Sequence, residues 1–250
     1  MPQLVIEGMQ THVELRGRGE KTLLFVHGAG GNGMHWMKTE PPPGWRLAAL
    51  DLPGHGKSAG SALHSITEYA HWVAAFIKKF GGCDLLAGHS MGGAITMTVA
   101  LQQPGLVRGI VLVGTGAKLA VSNIMLDLCK GGAVGKVEDM LAKVAYGPLP
   151  GLEQIKEWYR VFGGSTCQSY LRDFTSCHHF DIRTQLKEIR LPTMVVCGHL
   201  DRLTPYKYSE YLAEHIVGAK LAGIPDAGHM VMLEQPQLFN EIIADYCSEF

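Results

Sequence analysis

At 250 residues, 46% of them hydrophobic, the chain is long enough to bury one large core, and a single α/β domain is ordinary at this size. A formal net charge of −1, with no long run of either sign, argues against a nucleic-acid groove or a polybasic membrane patch. The first residues lack a basic stretch followed by a long apolar one, and no segment is long enough to span a bilayer, so neither a secretory leader nor a membrane anchor is expected.

Six cysteines are scattered without a C-x-x-C, and Cys83, Cys197 and Cys247 fall in apolar elements, where a free thiol acts as a small hydrophobe. A reducing cytoplasm fits this better than a disulfide framework. Twelve histidines are many, yet no H-E-x-x-H spacing occurs. His178 and His179 are the one adjacent pair, and adjacent side chains rarely share an ion, so no metal site is expected.

In chain order, residues 3–17 read as a hairpin of two short β-rich runs, 4–6 and 12–15, with Gly8 between them. Thr22–Val26 is a continuous apolar strand running into the glycine-rich loop His27–Gly33. That loop fits neither phosphate-binding pattern, G-x-x-x-x-G-K-[ST] or G-x-G-x-x-G, and suits the His-Gly turn that supplies an oxyanion-hole N–H. Trp45–Leu50 is a further strand. It leads into Asp51-Leu52-Pro53-Gly54-His55-Gly56-Lys57-Ser58, where Asp51 is expected to cap the turn through backbone N–H groups and His55 to lie on the surface. Residues 67–80 carry Tyr69, Trp72, Val73, Phe76, Ile77 and Phe80 at helical spacing, stopped by Gly81-Gly82.

Cys83–Ala87 is short and apolar enough for a buried strand, and 93–101 opens a helix. Val107–Val113 is the next strand. Residues 117–190 change character, with helical patterns at 121–130, 134–145, 152–162 and 166–176 separated by glycine pairs. Met125, Trp158, Phe162 and Tyr170 there either line a pocket or pack the insertion onto the body. The α/β pattern resumes with a strand at 193–197, a helix near 206–216, a strand at 219–224 and a helix at 236–246. Strands without polar alternation, alternating with helices, predict an α/β fold with a mainly parallel sheet covered on both faces. Residues 1–116 and 191–250 form its core and 117–190 a helical cap.

Between the strand at 83–87 and the helix at 93–101 stands Gly88-His89-Ser90-Met91-Gly92, which matches the nucleophile elbow G-x-S-x-G in the strand–turn–helix setting the motif needs. An alcohol becomes a good nucleophile when an imidazole takes its proton, and the imidazole needs a carboxylate to fix its tautomer. Ser90, Asp201 and His229 each follow a predicted strand, 111 and 28 residues apart, and converge only if the strands are parallel. Asp226, three residues before His229, competes with Asp201 for the acid; Asp201 is favoured because it follows its strand directly. His89 packs or shapes the pocket floor. For the negative charge of a tetrahedral intermediate, the Met91 N–H is the first donor, and the Ala29 N–H is the second, with Gly30 as its rival.

His27-Gly28, Asp51–Ser58, Gly88–Gly93, Gly198-His199-Leu200-Asp201 and Gly228-His229 with Glu234-Gln235-Pro236 together resemble the α/β-hydrolase superfamily over nearly the whole chain. Cys177-His178-His179-Phe180-Asp181 is similar to the segment by which the family's cap returns to the body. The resemblance implies Ser90 as nucleophile, Asp201 as acid, His229 as base, and no separate cofactor. It points to small cytosolic serine carboxylesterases, including those acting on pimeloyl-carrier-protein methyl esters. Ser90 argues against the members that use an aspartate at the elbow. The substrate expected is a small-molecule acyl ester. The alternatives are thioester or C–C bond hydrolysis or a lyase step by the same triad, and a triad-bearing small-molecule receptor.

Overall fold

The structure, a computed structural model, describes residues 4–148, 151, 154, 157–158 and 165–250. It opens on a two-stranded sheet in which β1 (Leu4–Ile6) runs antiparallel to β2 (Met9–Thr11). The expected pairing of 4–6 with 12–15 is corrected here. Glu7 and Gly8 both take positive φ, 49° and 80°, and so close a two-residue turn. That turn sets Met9 opposite Ile6, and Val13–Arg16 is left to begin the main sheet as β3.

After β3 come β4 (Lys21–Val26), β5 (Trp45–Leu50), β6 (Leu85–His89), β7 (Gly109–Val113), β8 (Thr193–Gly198) and β9 (Lys220–Ile224). They form one seven-stranded sheet in the order β3-β5-β4-β6-β7-β8-β9. Only β3 is antiparallel to its neighbour. Both faces are covered, which explains why these strands lack polar alternation. Leu24 and Val26 of β4 join the apolar cluster on one face, and Leu23 and Phe25 join that on the other.

Helix α1 (Ile66–Phe80) starts at Ser65, whose hydroxyl accepts the Glu68 N–H at 3.1 Å, and stops at Gly81 with φ 98°. With α2 (Met91–Gln102) it covers the first face through Trp72, Phe76, Ile95 and Val99. Within 117–190 lie α3 (Asn123–Lys130), α4 (Val134–Val144) and α5 (Cys167–His179), which share a small cluster of Met125, Cys129, Val137, Tyr170 and Phe174. The backbone of Lys118 bridges that of Asp181, so the segment leaves and returns side by side. From Cys177 onward, Phe180, Ile182, Leu186 and Ile189 pack into the main core. The helix expected over 152–162 falls largely outside the described residues, as does Phe162.

Helix α6 (Tyr206–His215) packs Leu212 onto the first face, while α7 (Val231–Glu234) and α8 (Pro236–Cys247) cover the second with Val231, Phe239 and Ile243. Among the described residues no helix is long and apolar enough to cross a membrane.

Candidate active site

Ser90 is the single residue between β6 and α2. Its φ of 53° and ψ of −115° are strained for a residue with a side chain. The turn is pinned by its N–H donating to the Val113 carbonyl at 2.9 Å and by the Thr115 hydroxyl donating to its own carbonyl at 2.8 Å. A Cβ on Gly88 would strike the Gly92 carbonyl, and one on Gly92 the Val26 carbonyl. The motif's glycines thus mark where strand and helix backbones touch.

Asp201 follows β8 and His229 follows β9, two neighbouring parallel strands. Asp201 is buried, and its Oδ2 accepts from His229 Nδ1 at 2.8 Å and from the Thr204 hydroxyl at 2.8 Å. Its Oδ1 accepts the Leu203 and Thr204 N–H groups, both at 2.9 Å. Burial alone would raise this carboxyl, but His229 beside it and the Thr204 donors hold it below the usual carboxylate range. With Nδ1–H committed to Asp201, His229 Nε2 is left as an acceptor. Asp226, by contrast, is exposed. Its φ of 53° makes it part of the turn that leads to His229.

Ser90 and His229 line one cavity of about 350 Å³. The body contributes Gly28, Ala29, His35 and His89, and the 117–190 segment contributes Met125, Met140, Leu141, Tyr170 and Phe174. Of the four apolar residues singled out in that segment, Met125 and Tyr170 line the cavity. Trp158 instead packs against Tyr146 in the body cluster, with the Lys38 ammonium 4.8 Å from its ring centre. His89 forms part of the cavity floor, its ring 4.5 Å from that of His229 and its Nε2 donating to the His229 carbonyl at 3.1 Å. Burial, then the neighbouring His229, push His89 well below the ordinary histidine value.

On the glycine-rich loop, Ala29 and Gly30 both border the cavity. The Gly30 N–H donates to Asp173 Oδ2 at 2.8 Å, so of the two only Ala29 keeps its N–H uncommitted among the described residues. His27 anchors the base of the loop: its Nε2 accepts the Leu52 N–H at 3.1 Å and its Nδ1 donates to the Gly28 carbonyl at 2.8 Å. Met91 begins α2, where the first N–H groups have no intrahelical acceptor.

Asp51 caps its turn as expected, accepting the Gly33 N–H at 2.7 Å and the Lys57 N–H at 2.8 Å. His55 corrects the sequence expectation. It is 2% exposed rather than on the surface, because a buried carboxylate 118 residues away holds it. His55 Nε2 donates to Asp173 Oδ2 at 2.9 Å and Nδ1 to the Pro53 carbonyl at 3.0 Å. Both ring nitrogens face acceptors, which favours the charged ring, and although burial opposes that charge, Asp173 raises His55 above the ordinary histidine value.

Sequence reasoning missed Thr204, Asp173 and Glu234. Glu234 accepts the Gly147, Gly228 and Met230 N–H groups at 2.7, 2.9 and 3.0 Å and so fixes the loop that carries His229. Its place in Glu234-Gln235-Pro236 was the available signal. Asp173 had one too, as a carboxylate on the buried face of a helix between Tyr170 and Cys177.

A family model described as the alpha/beta hydrolase family matches residues 23–242. The pimeloyl-acyl-carrier-protein methyl ester esterase of Neisseria meningitidis is 26% identical over 241 residues, covering 90% of this chain and 93% of its own. The solved structure of a thermophilic esterase is 31% identical, with a TM-score of 0.84 over 98% of this chain and 96% of that one. The enol-lactonase from Burkholderia xenovorans, 18% identical, has a TM-score of 0.90 over 99% and 100% of the two chains, a likeness of fold alone. The chain belongs to the alpha/beta hydrolase family and is an enzyme of the hydrolase class.

Proposed function

We propose that this enzyme cleaves a small-molecule carboxylic ester through an acyl-enzyme, with Ser90 as nucleophile, His229 as general base and then acid, and Asp201 as the carboxylate that orients the imidazole. The observation that carries this reading is the buried Asp201–His229 pair opening on the same cavity as a serine held at positive φ. As Ser90 Oγ bonds to the acyl carbon, its proton passes to His229 Nε2, and the imidazolium is stabilised by Asp201. The carbonyl oxygen takes up the negative charge against the Ala29 and Met91 N–H groups. Collapse returns the proton to the leaving alcohol, and water repeats the sequence to release the acid.

Residues 1–116 and 191–250 are the catalytic body in this account and 117–190 the cap that shapes the acyl pocket. The apolar lining from α3, α4 and α5 favours an acyl chain over a polar group. All six cysteines are free thiols, which fits residence in the cytoplasm. Turnover of p-nitrophenyl butyrate tests the reading: Ser90→Ala should lower kcat by at least about 10³-fold. Turnover that survives in Ser90→Ala would end it. A matched panel of thioesters and diketones, run with the same variant, separates ester cleavage from the other bonds this triad can break.

A further inference from the structure

Gly30 is gripped by the 117–190 segment on three sides. Its N–H donates to Asp173 Oδ2 at 2.8 Å. Its carbonyl accepts from the Ser165 hydroxyl at 2.7 Å. Its Cα, at φ 64°, lies so close to the Tyr170 ring that a Cβ would collide with it. Asp173 is itself fixed from the body. Tyr69 of α1 donates its hydroxyl to Oδ1 at 2.7 Å, and His55 Nε2 donates to Oδ2 at 2.9 Å. Asp173 and the Asp173–His55 side chains are fully buried. Burial alone would push the Asp173 carboxyl up, but His55, the Gly30 N–H and the Tyr69 hydroxyl hold it down.

Gly28 and Ala29 lie between the His27 anchor and this grip. Three bonds along the backbone separate the Ala29 nitrogen from that of Gly30, so a shift of the Gly30 peptide re-aims the Ala29 N–H. The direction of a donor matters because it stabilises charge only where the charge develops. A misplacement on the order of 1 Å is enough to lose much of that stabilisation.

We propose that Asp173 is a positioning residue for the reaction: by holding the Gly30 N–H it aims the Ala29 N–H at the carbonyl oxygen of the acyl group on Ser90. The cap segment therefore sets the electrostatics of the body as well as the shape of the pocket. This assignment rests on the ester-hydrolase reading above, in which Ala29 is an oxyanion donor.

The test compares Asp173→Ala and Asp173→Asn with Ile243→Ala, a core truncation on the opposite face of the sheet, which serves as the stability control. Kinetics on p-nitrophenyl butyrate are read well below each variant's Tm, alongside amide hydrogen exchange at Ala29 and Gly30. Asp173→Ala should lower kcat about 10–100-fold with KM changed less than about threefold, and weaken a butaneboronic acid that forms a tetrahedral adduct in proportion. Asp173→Asn keeps one acceptor oxygen and should recover part of the loss. Ile243→Ala should lower Tm and leave kcat in place. Exchange at Gly30 should accelerate at least about tenfold in Asp173→Ala.

An unchanged kcat in Asp173→Ala, with Ser90-dependent turnover intact, overturns the positioning role and leaves the ester-hydrolase reading standing. So does a loss of kcat that Ile243→Ala reproduces at equal Tm. If the unaltered protein shows no Ser90-dependent turnover, the ester-hydrolase reading fails instead and takes the positioning role of Asp173 in it as well; the exchange data then still decide whether Asp173 holds the loop. If Asp173→Ala does not fold, Asp173→Asn decides: a fall in kcat of about threefold or more at unchanged KM supports the proposal, and parity with the parent overturns it.

Discussion

Asp201 and Asp226 lie on the loops after two adjacent strands, yet only Asp201 is buried against His229. Asp201 also accepts three N–H and O–H donors besides the imidazole, so its charge is held in place before any substrate arrives. Asp201→Asn keeps the shape and removes the charge that fixes the tautomer. It should cost on the order of 10⁴-fold in kcat on p-nitrophenyl butyrate. Asp226→Asn should stay within about twofold of the parent. Equal losses in the two variants would remove Asp201 from its assigned role. At this scale the three residues proposed as a triad were legible because each follows a strand and sits next to glycine-rich turn residues. Asp173 and His55 were not read as a pair. Each looks like an ordinary loop or helix residue until the fold brings them to 2.9 Å across 118 residues. The one local hint was a charged residue on a buried helical stripe, which requires a partner without naming it.

At the scale of elements, the parallel strands were the most legible part of the chain. A strand buried on both faces has to be apolar throughout, and β4, β7 and β8 read that way. The N-terminal hairpin was misread for a different reason. Its turn depends on Glu7, a residue that seldom adopts positive φ, so the tight Glu-Gly closure gave a weak signal. The helices of 117–190 were visible as periodic patterns, but which face meets the cavity depends on packing that no periodicity contains. Met140 of α4 lines that cavity and Trp158 does not. Met140→Trp should therefore shorten the pocket. On a series of p-nitrophenyl esters, kcat/KM for octanoate should fall at least about tenfold more than for acetate. A uniform change along the series would place Met140 away from the acyl chain.

The whole molecule carries a run of buried histidines from the Asp173 end to the Asp201 end. Neighbouring ring centres lie 5.1 Å apart for His55–His27, 6.2 Å for His27–His35, 6.0 Å for His35–His89 and 4.5 Å for His89–His229. Burial pushes His27 down to about 4 and His35 to about 3, and it holds His89 well below 6.5. These rings are neutral in the fold. Below pH 6.5 the unfolded chain takes up protons that the fold refuses, so stability falls as pH drops from 6.5 toward 4. His27 and His35 each add about 1.4 kcal/mol per pH unit over that window, and His89 acts in the same direction. His55 has the opposite sign. Although burial opposes its charge, Asp173 raises it above 6.5, so its contribution is complete below 6.5 and is lost as pH rises through the folded value. Stability should peak near neutral pH. Urea midpoints measured at pH 7, 6 and 5 should decline steeply on the acid side, and a flat profile to pH 5 would contradict neutral burial of these rings.

The acyl-enzyme itself is the most direct measurement. Rapid acid quench of the enzyme turning over p-nitrophenyl butyrate, followed by intact mass and peptide mapping, should show one butyryl group on the peptide that carries Ser90. Steady turnover with no acylated protein at any quench time under substrate saturation, or with the acyl group on another side chain, would contradict it.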